Sequence, residues 1–109
     1  MSARLRRMDW EQLARRGEFG PQEMARLCAV SLRQMERFFA RQFRCTPQKW
    51  VRDYRLRLAK EFLARDSSTK AVAAELKFSS PAHFCRDFKR LYGVSPGKYV
   101  AGLPANFGL

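Results

Sequence analysis

The sequence lacks most of what an enzyme, a metal centre or a membrane span requires. It has one histidine, His83, and three cysteines, Cys28, Cys45 and Cys85. The cysteines are odd in number, form no C-x-x-C and match no zinc-ligand spacing with His83, so neither a disulfide framework nor a metal site is expected. There is no Gly-rich phosphate loop, no H-E-x-x-H and no carboxylate cluster of the nuclease type, and the reading is a non-enzyme without cofactor. The opening residues MSARLRRMDW are basic but carry no apolar signal-peptide stretch. No apolar run approaches the ~20 residues of a transmembrane helix. Strand signals are also scarce: no β-branched run alternates with polar residues, and no Asn-Gly or Asp-Gly turn occurs. Acidic residues are few, 10 Asp plus Glu against 22 Lys plus Arg, for a net charge of +12 over 109 residues. That excess favours a polyanionic partner, with nucleic acid, an anionic membrane and an acidic protein all open.

Helix punctuation, by contrast, is dense. Gly20-Pro21, Thr46-Pro47, Ser80-Pro81 and Ser95-Pro96 each place Pro where a first helical turn begins, after a small residue suited to the N-cap. An all-α fold of about seven helices is expected, near 8–16, 21–28, 32–43, 47–65, 69–76, 81–91 and 96–101. Gly17 and Gly93 read as helix stops. In the long segment 47–65, Trp50, Val51, Tyr54, Leu58 and Phe62 recur at three- and four-residue spacing and predict a core-facing stripe. The chain then divides into 1–46, a linker helix over 47–65, a second region over 66–101 and a loose tail over 102–109.

Residues 21–39 and 69–88 share one grammar. A helix-turn-helix crosses two short helices over a tight turn, which demands a small residue at the crossing and apolar anchors around it. Ala25 is the crossing residue of the first segment and Ala29 stands at its turn, with Met24, Cys28, Val30, Met35 and Phe38 as anchors. Ala73 repeats that role in the second, with Val72, Leu76, Phe78, Phe84 and Phe88. Val30 to Met35 spans five residues and Phe78 to Phe84 six, so the second turn is one residue longer. Two helix-turn-helix units joined by a long helix follow.

The polar faces carry the functional signal. At 100° per residue, Arg33, Arg37, Arg41 and Arg44 share one helix face, opposite Met35, Phe38 and Phe39. Ala82, Arg86, Lys89 and Arg90 lie opposite Phe84, Phe88 and Leu91. A helix of this kind fits the major groove of duplex DNA, where Arg bonds bidentately to guanine. Trp10, Trp50 and Tyr54 fall on apolar stripes and are expected in the core rather than as stacking platforms for single strands.

At Ala73, Phe78, Phe84, Phe88-Lys89, Gly93, Ser95-Pro96 and Tyr99 the chain resembles the DNA-binding domain of AraC/XylS-family regulators, over roughly residues 5–101. The resemblance implies two recognition helices in successive major-groove segments, with 47–65 as connector. By position it implies base contacts from Leu32, Arg33, Glu36 and Arg37, and from Pro81, Ala82, Cys85 and Arg86. Arg33 and Arg37 suit guanine, Glu36 can accept from cytosine N4, and Ala82 can touch a thymine methyl. Ser31, Arg41, Arg44, Lys77, Ser80, His83, Lys89 and Arg90 are expected at phosphates, which position without specifying.

Three residues depart from the family pattern: Lys77 and Arg44 replace usual glycines, and Val100 replaces a basic residue. The implied function is transcription regulation, as an activator through RNA polymerase, by a cytoplasmic, nucleoid-associated protein. Such regulators commonly carry a ligand-sensing domain. This length has no room for one, and no small-molecule pocket is expected. A sequence-neutral DNA-coating protein is the rival within nucleic-acid binders, and a cationic membrane-surface protein the rival outside them.

Overall fold

A computed structural model describes residues 2–66 and 68–103, and every element in them is helical: α1 Ser2–Arg6, α2 Trp10–Arg16, α3 Pro21–Leu27, α4 Leu32–Gln42, α5 Pro47–Asp66, α6 Thr69–Glu75, α7 Pro81–Tyr92 and α8 Pro96–Ala101. Seven match the expected segments. The eighth, α1, was not expected: SARLR is one turn with a single large apolar residue, too short for periodicity to register. It is held by tertiary contact instead, through buried Leu5 and through Arg4. Of the tail expected over 102–109, residues 104–109 lie outside the described residues.

The capping chemistry follows the sequence closely. The side chains of Asp9, Ser68, Ser80 and Ser95 accept from backbone N–H groups three residues on, satisfying donors that a helix start leaves orphaned. Thr46 Oγ1 does the same for Lys49 at 3.1 Å. Ser31 and Gln34 form a reciprocal capping box at the head of α4, at 3.0 and 2.9 Å.

The chain forms two compact units, and the division falls inside α5, between Tyr54 and Arg55. The first unit is organised by aromatics: the Trp10 ring lies 4.8 Å from that of Phe39, which lies 4.9 Å from Phe43 and 5.7 Å from Trp50. The second is built on Phe84, 4.9 Å from Phe78 and 5.8 Å from Phe88. Trp10 and Tyr54 are buried core residues and Trp50 is half-buried.

Because α5 serves two units, its expected single stripe does not hold along the whole helix. Val51 and Tyr54 are buried in the first unit, whereas the second buries Leu56, Ala59 and Leu63; Leu58 and Phe62 are left half-buried. Leu91 also departs from expectation, being 44% exposed. The last turn of α7 packs through Tyr92, whose ring meets Phe88 at 4.8 Å and Lys60 Nζ at 4.0 Å.

Gly17 caps α2 with an ordinary φ of −86°. Its value is space: a Cβ there would stand 3.1 Å from the Leu13 carbonyl oxygen and 3.2 Å from Met24 Cγ.

Candidate nucleic-acid interface

Both helix-turn-helix units make the same turn with the same bonds. At the end of α3 the Val30 N–H donates to the Ala25 carbonyl at 3.1 Å and the Ala29 N–H to Arg26 at 3.0 Å. At the end of α6 the Phe78 N–H donates to Ala73 at 3.0 Å and the Lys77 N–H to Ala74 at 3.1 Å. This nested pair is a Schellman closure, in which the residue after the C-cap must turn left-handed. Ala29 has φ 60° and Lys77 φ 65°.

The connection from α3 to α4 is residues 28–31 and that from α6 to α7 is residues 76–80, so the second is longer by one, as expected. The crossing residues Ala25 and Ala73 are buried at 3% and 1% exposure, as a small residue at the helix crossing requires.

Each turn leads into a helix that buries one face in its own unit and exposes the other. On α4, Met35, Phe38 and Phe39 are buried, while Arg33, Glu36, Arg37 and Arg41 are exposed and Leu32 is half-buried. Ser31 is exposed at the N-cap. Arg44 follows α4 at φ 56°, also exposed, so a cation occupies a backbone conformation that glycine adopts more readily. On α7, Phe84 and Phe88 are buried, while Pro81, Ala82, Arg86, Lys89 and Arg90 are exposed and Cys85 is half-buried. Ser80 and Lys77 are exposed beside its start.

Ion pairing separates these arginines from other charges. Glu23 pairs with Arg26, and that hydrogen bond holds its carboxyl below the usual carboxylate range. Lys49 pairs with Asp53 at 2.7 Å. Among the described residues, no ion pair engages Arg33, Arg37, Arg41 or Arg86. Their guanidinium donors face water, the state from which an incoming acceptor recruits them at least cost.

His83 is placed differently from those cations. Its Nδ1 lies 3.0 Å from Ser79 Oγ and its Nε2 3.1 Å from Asp87 Oδ2, while the ring sits edge-on to Phe78. The imidazole is thus oriented by its own helix and turn.

Two residues that the sequence reading did not single out complete the turns. Arg4 Nη1 donates to the Cys28 carbonyl at 2.8 Å. Arg55 Nε donates to the Leu76 carbonyl at 2.7 Å and its Nη2 donates to Lys77 O. Neither belongs to a helix-turn-helix pattern, and long-range side-chain-to-backbone bonds leave no periodic signature. Elsewhere, no described helix is long and apolar enough to cross a membrane. The described residues also hold no group of three or more His, Cys, Asp or Glu able to bind a metal ion.

Comparison with known proteins agrees with this geometry. A family profile described as a helix-turn-helix domain matches residues 24–102. The crystal structure of a transcriptional regulator from Chromobacterium violaceum, described as an AraC-type DNA-binding domain-containing protein, superposes with a TM-score of 0.73 at 26% identity, covering 83% of each chain. A probable AraC family regulator from Rhodopseudomonas palustris is alike in fold alone, with a TM-score of 0.63 and 22% identity over 83% of this chain and 92% of that one. The HTH-type transcriptional regulator GlxA of Rhizobium meliloti is 43% identical over 76 residues, 68% of this chain and 23% of that protein. The probable transcriptional regulator LumQ of Photobacterium leiognathi is 36% identical over 78 residues, 71% of this chain and 32% of that protein.

An all-α pair of helix-turn-helix units, each presenting a basic helix, defines a DNA-binding domain class. The chain belongs to the AraC-type helix-turn-helix family. It spans from 10% to 32% of the length of the first curated relatives it matches.

Proposed function

We propose that this chain reads duplex DNA in a sequence-specific manner through α4 and α7 and thereby regulates transcription. The observation that carries the reading is the repeated construction: a left-handed turn closed by the same pair of bonds leads into a side-chain-capped helix. The outward face of that helix carries arginine outside any ion pair among the described residues, Arg33, Arg37 and Arg41 on α4 and Arg86 on α7. One such face fits any polyanion. Two built on the same turn fit a duplex read at two places, because a helix presented in this way fills a major groove.

In this reading Arg33 and Arg37 bond guanine, Glu36 accepts from cytosine N4, and Ala82 packs on a thymine methyl. Leu32, Pro81, Cys85 and Arg86 complete the base-facing set. Ser31, Arg41, Arg44, Lys77, Ser80, His83, Lys89 and Arg90 serve the phosphates. The protein is not an enzyme. It works in the cytoplasm at the nucleoid, activating through contact with RNA polymerase.

Selection from random duplex DNA at about physiological salt, followed by sequencing, tests the reading. Two enriched blocks establish α4 and α7 as readers, and the separation of the blocks reports their spacing. One block leaves one unit as a backbone anchor. Salt-sensitive binding without enrichment would replace the specific regulator with a general DNA-coating protein.

A further inference from the structure

Each helix-turn-helix is gripped at its turn by an arginine from outside the motif. In the second unit Arg55, on α5, bonds the carbonyls of Leu76 and Lys77, and its guanidinium carbon lies 3.9 Å from the centroid of the Phe78 ring. One side chain therefore holds three consecutive residues of the turn. In the first unit Arg4, on α1, bonds the Cys28 carbonyl. Cys28 and Leu76 are equivalent, each being the C-cap immediately before the left-handed residue. Arg4 precedes its target by 24 residues and Arg55 by 21, on helices of different length. The same contact is thus reached by two different routes.

The chemistry at these points is specific. Carbonyls closing a helix lack intrahelical donors and lie at the negative end of its dipole, so a guanidinium there makes charge-assisted bonds. Arg55 is half-buried, and burial lowers its pKa from the ordinary arginine value, opposed by the charge of Asp87. A cation that could lie in water is instead held against the turn. The turn needs that hold, since a left-handed φ is disfavoured for any residue with a Cβ, and Ala29 and Lys77 both have one.

We propose that Arg4 and Arg55 are positioning residues for base recognition, Arg4 fixing the aim of α4 and Arg55 that of α7, without themselves touching DNA. The inference rests on the reading of α4 and α7 as base readers. Base-edge bonds require sub-ångström placement, whereas phosphate contacts tolerate displacement. Releasing a turn therefore erodes discrimination while leaving electrostatic affinity in place. Lysine cannot substitute at position 55, because an ammonium lacks the planar fork that spans two carbonyls and stacks on a ring.

The experiment compares the full wild-type chain with Arg4→Ala, Arg55→Ala and Arg55→Lys. Each is titrated against the selected duplex and against duplexes with one block scrambled, over a range of salt. Blocks are assigned to helices by Arg37→Ala and Arg86→Ala, and helix content is followed by circular dichroism. In wild type, scrambling either block lowers affinity about tenfold or more. In both Arg55 variants the penalty for the α7 block falls below about threefold, while the α4 block keeps its penalty and the salt slope changes by less than about one ion. Arg4→Ala gives the reverse pattern. Lys77→Gly placed in the Arg55→Ala chain restores discrimination at the α7 block, since glycine adopts the turn unaided.

Penalties that fall together, penalties that do not fall, loss of discrimination matched by loss of helix, or no rescue by Lys77→Gly would each overturn the assignment. A wild-type chain that discriminates neither block would overturn the base-reading function, and this inference with it. A discriminating wild type with unaltered arginine variants would overturn this inference alone.

Discussion

Ala29 and Lys77 stand at the same place in two different turns, each the first residue past a helix C-cap, and both adopt the left-handed backbone, at φ 60° and 65°. Neither is glycine, so each turn is held against its own backbone preference by the bonds around it. Gly93, after α7, is the contrasting case: its φ is 81°, and it carries no Cβ penalty.

Lys77→Gly should therefore stabilise the second unit. Relief of the left-handed strain is worth about 1–2 kcal/mol, offset by roughly 0.5–1 kcal/mol of added unfolded-state freedom, for a net gain near 0.5–1 kcal/mol. Thermal unfolding should shift upward by roughly 3–6 °C. Gly93→Ala should do the opposite by about 1 kcal/mol, and through the backbone alone, because nothing lies within 4 Å of the added Cβ. Equal, unshifted melting curves for both variants would remove the strain account.

Gly17→Ala tests crowding rather than backbone angle. The φ of −86° suits alanine, but the new methyl would stand 3.1 Å from the Leu13 carbonyl oxygen and 3.3 Å from the Met24 backbone nitrogen. Backbone atoms cannot swing aside as a flexible side chain does. A loss of about 1–3 kcal/mol in a denaturant titration is expected, the usual range for overpacking. A neutral result would mean that α2 and α3 separate freely at this point.

How much of this was legible in the sequence depends on whether the signal was local. Capping is local, and the side chains at Thr46, Ser80 and Ser95 perform as their positions suggest. The longer second turn is local too, and residues 76–80 bear it out. The stripe on α5 is fully buried only at Val51 and Tyr54, and the buried positions shift to Leu56, Ala59 and Leu63 beyond them, because a periodicity rule assumes one core per helix and α5 supplies two. Leu91 failed because helical angle predicts a side, not whether anything covers it; Tyr92 takes the packing there. Arg4 and Arg55 were invisible because their partners are carbonyls more than 20 residues away.

The exposed polar set was legible as a pattern. Its finer division was not drawn: Ser79 and Asp87 each lie four residues from His83, a spacing at which helical side chains meet, yet the sequence reading did not pair them with it.

Cys28 should behave unlike the other two thiols. It is 2% exposed, and burial pushes its thiol up from the ordinary value, against an opposing pull from Arg4; Cys45 and Cys85 are half-exposed. The folded chain thus keeps this proton to a higher pH than the unfolded chain does. The associated stability is intact below the ordinary thiol value of about 8.5 and is lost as pH rises through the folded value. Iodoacetamide at neutral pH should alkylate Cys45 and Cys85 first, with Cys28 following only at the rate of unfolding. Denaturant titrations between about pH 8 and 10 should show wild type losing stability relative to Cys28→Ala. Rapid labelling of all three thiols would contradict the burial of Cys28.

Arg37 and Arg41 lie one turn apart on the same exposed face of α4, and the proposed reading gives them different tasks. Arg37, nearer the helix start, is placed at a base edge, and Arg41 at a phosphate. A bidentate bond to guanine discriminates among bases, so Arg37→Ala should cost roughly 1–3 kcal/mol on the selected duplex and relax preference at one or two base pairs. A phosphate bond releases a counterion whatever the sequence, so Arg41→Ala should weaken all duplexes by a similar factor and reduce the salt slope by about one. Binding isotherms on the selected duplex, single-base variants and an unrelated competitor, at three salt concentrations, separate the two signatures. If Arg37→Ala shows the uniform pattern instead, α4 holds the DNA backbone at that position and the base-reading set must begin nearer its N-terminus, at Arg33.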